Sequence, residues 1–529
     1  MRGPLVLLLA ASTALLGAAA VAPAASAAPP PGYTLTYQTI PGDGGTALKG
    51  FVITPTGRPG PFPLVVMPSS WGVNDLEYVG AGEKLAARSG YEVISYTSRG
   101  FYDSAGENDV AGPATVADVS KVIDWALANT PADPNEIGAA GISYGAGQSL
   151  LAAAVDPRLK AVVAMSGWTD LADSLYPNQT ISSIGSALLL LAGDVTSRPG
   201  PELRQLQQDF VAGDISRDLS LSPPRSADTK IAQINDNHAA VMVANTWGDS
   251  LFPPDQFVDF FNQLTGPKRL ELEAGDHATS SLTGAAGLPN ATWDDVTRWL
   301  DHFVRGVDNG INTENPIQLK PDNGTTWQSY PTWSAVGENT TSYLSAPTGV
   351  LPTGSLTGGP STGWSSRINA GIDTIADSGV PLLSGALQGY ADVPTGVAVP
   401  LVNRAAAGVW NTPAQPGATT VSGTPSLHLT VTPSTATTSL FGYLYDVNPL
   451  GVGSLISYRP DTLRGATPGQ PMPVDLSLEP IVWNVPAGDH LTLVVDTVDP
   501  RYQSLSPIGS TVTFSSPATD PSWLRIPTN

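Results

Sequence analysis

The chain contains no cysteine. That excludes a thiol nucleophile, thiolate metal sites and disulfide staples. Stability must come from the hydrophobic core, which a chain of 529 residues can supply. Positive charge is also scarce: 25 Lys and Arg stand against 46 Asp and Glu, a formal net charge of −21. This balance disfavours nucleic acid and anionic membranes as partners and favours solubility. There are only five histidines. No spacing of His, Asp and Glu reads as a metal-ligand cluster, and nothing calls for a cofactor. No internal repeat is present. Beyond the first residues, no apolar run is long enough to cross a bilayer. Residues 181–192 come nearest, and their serines and length suit a cap helix.

The one sustained apolar run stands at the start. Met1-Arg2-Gly3-Pro4 leads into residues 5–20, and Ala25-Ser26-Ala27 follows with the small-x-small pattern of a cleavage site. Residues 1–27 are expected to be a secretory signal peptide, cut after Ala27, and the protein to be secreted. A single membrane anchor is the other reading; the Ala-rich run and the small residues after it favour cleavage.

What the chain does have is Gly141-Ile142-Ser143-Tyr144-Gly145. Before it, Asn135 to Ala140 reads as a short buried strand; after it, Ala146 to Ala154 reads as a helix. A sharp strand-to-helix turn at G-x-S-x-G is the nucleophile elbow of an α/β-hydrolase, with glycines where side chains would collide. In that fold the acid and the histidine follow the serine. Ala240-Val241-Met242-Val243-Ala244-Asn245 reads as a late core strand and runs into Thr246-Trp247-Gly248-Asp249. Asp249 then lies on a loop after a strand. A helix over 255–264 and a strand at Lys268-Arg269-Leu270-Glu271-Leu272 come next, and His277 sits on the loop beyond. The expected triad is Ser143 as nucleophile, His277 as base and Asp249 holding its tautomer.

The other candidates read differently. His302 lies in a helix of mixed face and is expected to be packed or at the surface. His238 follows the polar run Asn235-Asp236-Asn237 and reads as a solvated loop residue. Asp255 stands where a helix should start and reads as an N-terminal helix charge. Asp276 is adjacent to His277, too near in sequence to hold its ring.

At these residues the chain resembles the cocaine-esterase and Xaa-Pro dipeptidyl-peptidase group of α/β-hydrolases, which includes acylases and α-amino-acid ester hydrolases. Ser143-Tyr144 is similar to the group's G-x-S-Y elbow. Ser98-Arg99-Gly100 with Ser104-Ala105-Gly106 is similar to its D-x-R-G-x-x-x-S-x-G loop, with Thr97 in place of the Asp. Phe303 to Gly310 resembles the segment after its last hydrolase helix. Phe441 to Val447, Leu455-Ile456-Ser457 and Pro486 to His490 resemble its C-terminal β-sandwich. The group commonly carries a tyrosine after the first core strand, whose hydroxyl helps form the oxyanion hole. Here Leu64-Val65-Val66-Met67 is followed by Pro68-Ser69-Ser70-Trp71-Gly72. One oxyanion donor is expected from the N–H of Tyr144. The second is open among a hydroxyl or N–H of Ser69 or Ser70 and the N–H of Trp71.

Alternating strand and helix signals place the chain in the α/β class. Residues 34–37 and 48–53 read as antiparallel edge strands. Core strands are expected near 64–67, 93–96, 137–140, 161–164, 241–245 and 270–272, with a helix marked by Val116-Val119-Ile123-Leu127. The expected architecture is a doubly wound α/β-hydrolase sheet over residues 28–326, a helical cap inserted at about 168–232, and a C-terminal all-β, jelly-roll-like sandwich at 327–529. Past Trp327 the helix signals vanish, and alternating runs such as Ser426 to Val431 and Leu491 to Val495 read as sandwich strands. Ile184 to Leu191 reads either as cap core or as an apolar wall over the acyl pocket. The function expected is a serine hydrolase acting on a small ester or peptide-like substrate. A dipeptidyl-peptidase is the alternative activity, and a non-catalytic binding protein is the alternative class.

Overall fold

The parallel strands read from the sequence lie side by side in one sheet of ten. The computed structural model describes residues 32–529. The leader and its cleavage motif lie outside the described residues. The strands are β1 (Tyr33–Pro41), β2 (Ala47–Pro55), β3 (Phe62–Pro68), β4 (Glu92–Tyr96), β5 (Ala132–Ile142), β6 (Leu159–Met165), β7 (Ala240–Thr246), β8 (Lys268–Glu273), β9 (Ile317–Leu319) and β10 (Gln328–Tyr330). Their order is β1-β2-β4-β3-β5-β6-β7-β8-β9-β10. From β4 to β9 every neighbouring pair is parallel; β1, β2 and β10 pair antiparallel at the two ends. All seven residues of β3 and all seven of β7 are buried, as strands covered on both faces must be.

Among the helices are α1 (Val79–Lys84), α2 (Pro113–Asn129), α3 (Tyr144–Val155), α4 (Ser183–Thr196), α5 (Pro201–Ala212), α6 (Asp255–Gln263), α7 (Ala291–Phe303) and α8 (Ser384–Ala391), with shorter ones at Leu171–Leu175, Ile231–Asn237 and Leu282–Ala285. Val119 and Ile123 of α2, Leu150 of α3 and Phe257 and Phe260 of α6 pack on one face of the sheet. Ala81 of α1 and Trp293, Trp299 and Leu300 of α7 pack on the other. This is the doubly wound arrangement. Between β6 and β7 the alternation gives way to α4, α5 and short 3₁₀ turns, which stand over the carboxyl ends of the strands where ligands bind in such sheets.

The C-terminal part is all-β apart from α8. One layer is built on Ser426–Pro433, paired antiparallel with Met472–Ser477, Thr511–Ser516 and Trp523–Thr528. The other is built on Thr437–Val447, paired with Val452–Arg464 and His490–Asp496. Trp410 and Phe514 meet between them, ring centroids 6.0 Å apart. β10, the first strand past Trp327, still pairs with the hydrolase sheet. The expectation that helices end at Trp327 fails at α8. Its sequence, Ser-Gly-Ala-Leu-Gln-Gly-Tyr-Ala, holds two glycines and so has weak helix propensity. The helix persists because Gly385 and Gly389 let it lie directly on the loop after β8. Among the described residues no helix is long and apolar enough to cross a membrane.

Candidate active site

Ser143 caps the turn between β5 and α3 at φ 54° and ψ −118°, a conformation rare for a residue with a side chain. Both motif glycines are there for space. A Cβ on Gly145 would enter the carbonyl of Pro68, and one on Gly141 would enter the backbone of Gly145. The Ser143 N–H donates to the Met165 carbonyl at 2.8 Å, which pins the turn to the neighbouring strand.

The loops after β7 and β8 bring two further side chains to it. His277 Nε2 lies 2.9 Å from Ser143 Oγ. His277 Nδ1 lies 3.1 and 3.2 Å from the two Asp249 oxygens. Asp249 is 1% exposed, and its Oδ1 also accepts the N–H groups of Leu251 and Phe252 at 3.0 and 2.9 Å. The carboxylate is thus oriented before it meets the imidazole. Burial by itself depresses the His277 pKa. The Asp249 carboxylate outweighs it, with Asp276 and Glu77 adding, and the net direction is above the ordinary value of 6.5.

The rival acids have other work. Asp276 does not touch the ring, as its place in the sequence implies. Its Oδ1 accepts the N–H of His277 at 2.8 Å and of Ser250 at 2.9 Å, so it ties the two loops together. Asp255 does begin a helix, but the reading of a simple helix-end charge falls short. Its carboxylate lies 2.8 Å from the guanidinium of Arg459, which also meets Asp173 at 2.6 Å and Glu479. Burial first, and Glu479 second, push the Asp255 pKa well up. His302 donates through Nδ1 to the Val307 carbonyl, and His238 is an exposed helix-end residue at φ 57°.

The oxyanion candidates sort by which donors are already spent. Ser69 gives its N–H to the Tyr96 carbonyl, and its hydroxyl faces Ser98. Ser70 gives its N–H to Glu77 Oε2 at 2.7 Å, and its Oγ lies 2.6 Å from Glu77 Oε1 and 2.9 Å from the Ile142 carbonyl. Those commitments overturn the expectation of a donor from Ser70 and from the Ser69 N–H, while the Ser69 hydroxyl is buried and its oxygen accepts the Ser98 N–H. The backbone N–H groups of Trp71 and Tyr144 have no recorded partner among the described residues. The Trp71 and Tyr144 rings meet edge-on at 5.1 Å, and the Trp71 indole donates to the Leu189 carbonyl of α4 at 2.9 Å.

Above Ser143 opens a cleft walled by α4, α5 and the turns between β6 and β7. Leu189, Leu190, Leu203, Leu206, Phe210 and Phe252 make it apolar. Leu189 and Leu190 belong to the run that could have been cap core alone; they are a wall of the cleft. Leu203, Leu206 and Phe210 complete the wall and were given no role from the sequence, where polar residues surround them. Among the described residues, no group of three His, Asp or Glu side chains is placed to hold a metal ion.

A parallel sheet in this order, with a Ser-His-Asp constellation at its carboxyl edge, defines the class as a serine-type α/β-hydrolase. Residues 43–279 match the family model of X-Pro dipeptidyl-peptidase (S15 family), and residues 309–522 match that of the X-Pro dipeptidyl-peptidase C-terminal non-catalytic domain. The chain belongs to this S15 family of hydrolases. Over 295 residues it is 23% identical to a putative Xaa-Pro dipeptidyl-peptidase of Bacillus cereus, covering 50% of this chain and 48% of that protein. The chain thus spans about half the length of the Bacillus relatives it matches. Two solved structures share the fold at 15% identity, each with a TM-score of 0.74. One is an aminopeptidase from a marine-sediment Thaumarchaeota archaeon, covering 95% of this chain and 98% of its own. The other is an α-amino acid ester hydrolase, covering 97% and 99%.

Proposed function

We propose that this is a secreted hydrolase that cleaves esters of apolar acyl groups through Ser143, His277 and Asp249. The observation that carries the reading is the 2.9 Å contact of Ser143 Oγ with His277 Nε2 at the floor of the apolar cleft. Ser143 Oγ attacks the acyl carbonyl while His277 Nε2 takes its proton. Asp249, held by two backbone N–H groups, keeps the other ring nitrogen protonated and stabilises the imidazolium. Charge that develops on the carbonyl oxygen is taken by the N–H groups of Trp71 and Tyr144. His277 then returns the proton to the departing alkoxide. Water, activated by the same imidazole, releases the acid and frees Ser143. Secretion is read from the leader, with cleavage after Ala27.

A second reading, removal of N-terminal Xaa-Pro dipeptides, is favoured by one feature beyond the family match. Asp218 lines the cleft with Oδ2 unpartnered among the described residues, where a substrate amine could meet it. Burial first, and then Asp209, push its pKa up to about 6. The test is a series of p-nitrophenyl esters beside Gly-Pro-p-nitroanilide, with wild type and Ser143→Ala. Ester turnover that is lost in Ser143→Ala, with fluorophosphonate labelling of Ser143 alone, is the expected result. Preferential cleavage of the anilide would install the second reading, and labelling that survives in Ser143→Ala would refute both.

A further inference from the structure

Beneath the elbow lies a buried acid that the chemistry above does not use. Glu77 and Tyr78 belong to the 3₁₀ turn Asp75–Tyr78, whose start is capped by Asn74 Oδ1 on the Leu76 N–H at 3.2 Å. Glu77 is 8% exposed and Tyr78 fully buried. Both Glu77 oxygens are spent on Ser70: Oε2 accepts its N–H and Oε1 meets its hydroxyl. That hydroxyl also reaches the carbonyl of Ile142, and the Tyr78 hydroxyl accepts the Ile142 N–H at 2.8 Å. Ile142, the residue before Ser143, is therefore held at its N–H by Tyr78 and at its carbonyl by the one Ser70 hydroxyl proton, which it shares with Glu77. Ser70, the residue before Trp71, is held at both of its donors. Close fit enforces the same arrangement. A Cβ on Gly145 would stand 3.2 Å from the Tyr78 hydroxyl as well as inside the Pro68 carbonyl.

We propose that Glu77 and Tyr78 are positioning residues that lock the Ser70–Trp71 turn to the Ile142–Ser143 elbow, setting the two oxyanion donors at the spacing the reaction needs. The proposal rests on the reading of Ser143 as nucleophile and of the Trp71 and Tyr144 N–H groups as donors. A carboxylate suits the task because it is acceptor-only and takes two donors from one residue. Burying it is costly, and a fold does not need an acid there to fill space. Burial pushes its pKa up to about 7, against the lowering effect of its bonds to Ser70 and Tyr78 and of the His277 imidazole. Charge on Glu77 acts in turn on His277, together with that on Asp249 and Asp276. Glu77 thus reads out in two independent ways, through the oxyanion turn and through the base.

The test uses Glu77→Gln and Tyr78→Phe in the full chain, with Ser143→Ala alongside. Circular dichroism establishes folding, and p-nitrophenyl butyrate reports kcat, KM and the acid limb of kcat/KM. Loosening one donor should lower kcat about 10–100-fold in each variant, short of the 10²–10³ seen when a donor is deleted, while KM moves less than about threefold. In Glu77→Gln the acid limb should also move to lower pH, because a negative charge facing His277 is gone; in Tyr78→Phe it should move less, because Glu77 remains and loses only the support of the Tyr78 hydroxyl. Folded variants with wild-type kcat would overturn the proposal, as would a loss confined to KM. An unmoved limb in a slowed Glu77→Gln would reduce Glu77 to a packing role and overturn its part. Should Ser143→Ala remain active, the nucleophile is elsewhere and both readings fall; should it be dead while the other two variants match wild type, only the clamp falls.

Discussion

Gly385 offers a test whose sign separates two pictures of the C-terminal half. It lies on α8, and its missing side chain faces the two loops that carry Asp249 and His277. A Cβ there would stand 2.6 Å from the Gly275 carbonyl, 2.9 Å from Asp276 Cβ and 3.0 Å from the Gly248 carbonyl. Contacts between such atoms are comfortable only from about 3.5 Å. Gly385→Ala must therefore push the helix and the loops apart by roughly 0.5–0.9 Å. The intruded atoms are mostly backbone, so no side-chain rotation relieves them. Misplacing a catalytic group by about 1 Å can cost about 10² in rate, so a kcat loss of about 10- to 50-fold is expected, with a stability loss of about 1–3 kcal/mol. If α8 were only a surface helix, the same change would stabilise it by about 0.5–1 kcal/mol, since glycine is the poorer helix former. The assay is kcat on one p-nitrophenyl ester together with Tm. A Gly385→Ala variant with raised Tm and kcat within about twofold of wild type would refute the claim that the β-half holds the catalytic loops in place.

Three further outcomes are expected. Asp249→Asn should lower kcat by as much as about 10⁴ by favouring the wrong His277 tautomer, whereas Asp276→Asn keeps an acceptor oxygen for the Ser250 and His277 N–H groups and should cost far less; both are measured on one ester at one pH. The acid limb of kcat/KM should have its midpoint above 6.5, because Asp249 holds the His277 proton against the opposing effect of burial, so the free base accumulates only at higher pH; a midpoint below 6.5 contradicts the site. Arg459→Met should destabilise the protein by about 3–5 kcal/mol in urea titrations, since it strands Asp173, Asp255 and Glu479. Asp255→Asn should cost much less and should flatten the pH dependence of stability. Asp255 keeps its proton to higher pH folded than unfolded, so wild type loses stability as pH rises above the ordinary carboxylate range, and the asparagine removes that loss.

The sheet was legible because its signals are local. Val65, Val66, Val162, Val163, Val241 and Val243 sit in short runs that are apolar throughout, as strands covered on both faces must be. The order Ser143, Asp249, His277 was legible for the same reason: each residue follows a strand read from its own neighbours, and parallel strands deliver their ends to one edge. The apolar wall was only half legible. Leu189 and Leu190 carry the signal of burial, but burial against a core and burial against a substrate look alike in a sequence. Leu203, Leu206 and Phe210 were hidden by the charges on the outer side of α5.

What escaped the sequence was settled by backbone atoms and by long-range fit. α8 was missed because propensity counts Gly385 and Gly389 against a helix, while the structure uses both for close approach to Gly275. Asp276 was rightly set aside as a partner for the ring, but its bonds to two backbone N–H groups have no residue-type signature. The oxyanion donors show the same blindness most plainly. The related group's tyrosine is absent, and the residues near its place are committed: the Ser69 N–H to Tyr96, the Ser69 hydroxyl oxygen to the Ser98 N–H, and Ser70 to Glu77 and Ile142. What is left is an N–H on Trp71, which every residue but proline possesses and no motif can mark. The substitution has a chemical consequence. A tyrosine hydroxyl can lose its proton at high pH and cease to donate; an amide N–H cannot. On the proposal that Trp71 and Tyr144 both donate through the backbone, neither oxyanion donor titrates, and His277, once deprotonated, stays competent. Ester turnover should therefore rise to a plateau and hold it through the range where tyrosines ionise. A descending alkaline limb with the fold intact would mean that a side-chain hydroxyl, not Trp71, supplies the second donor.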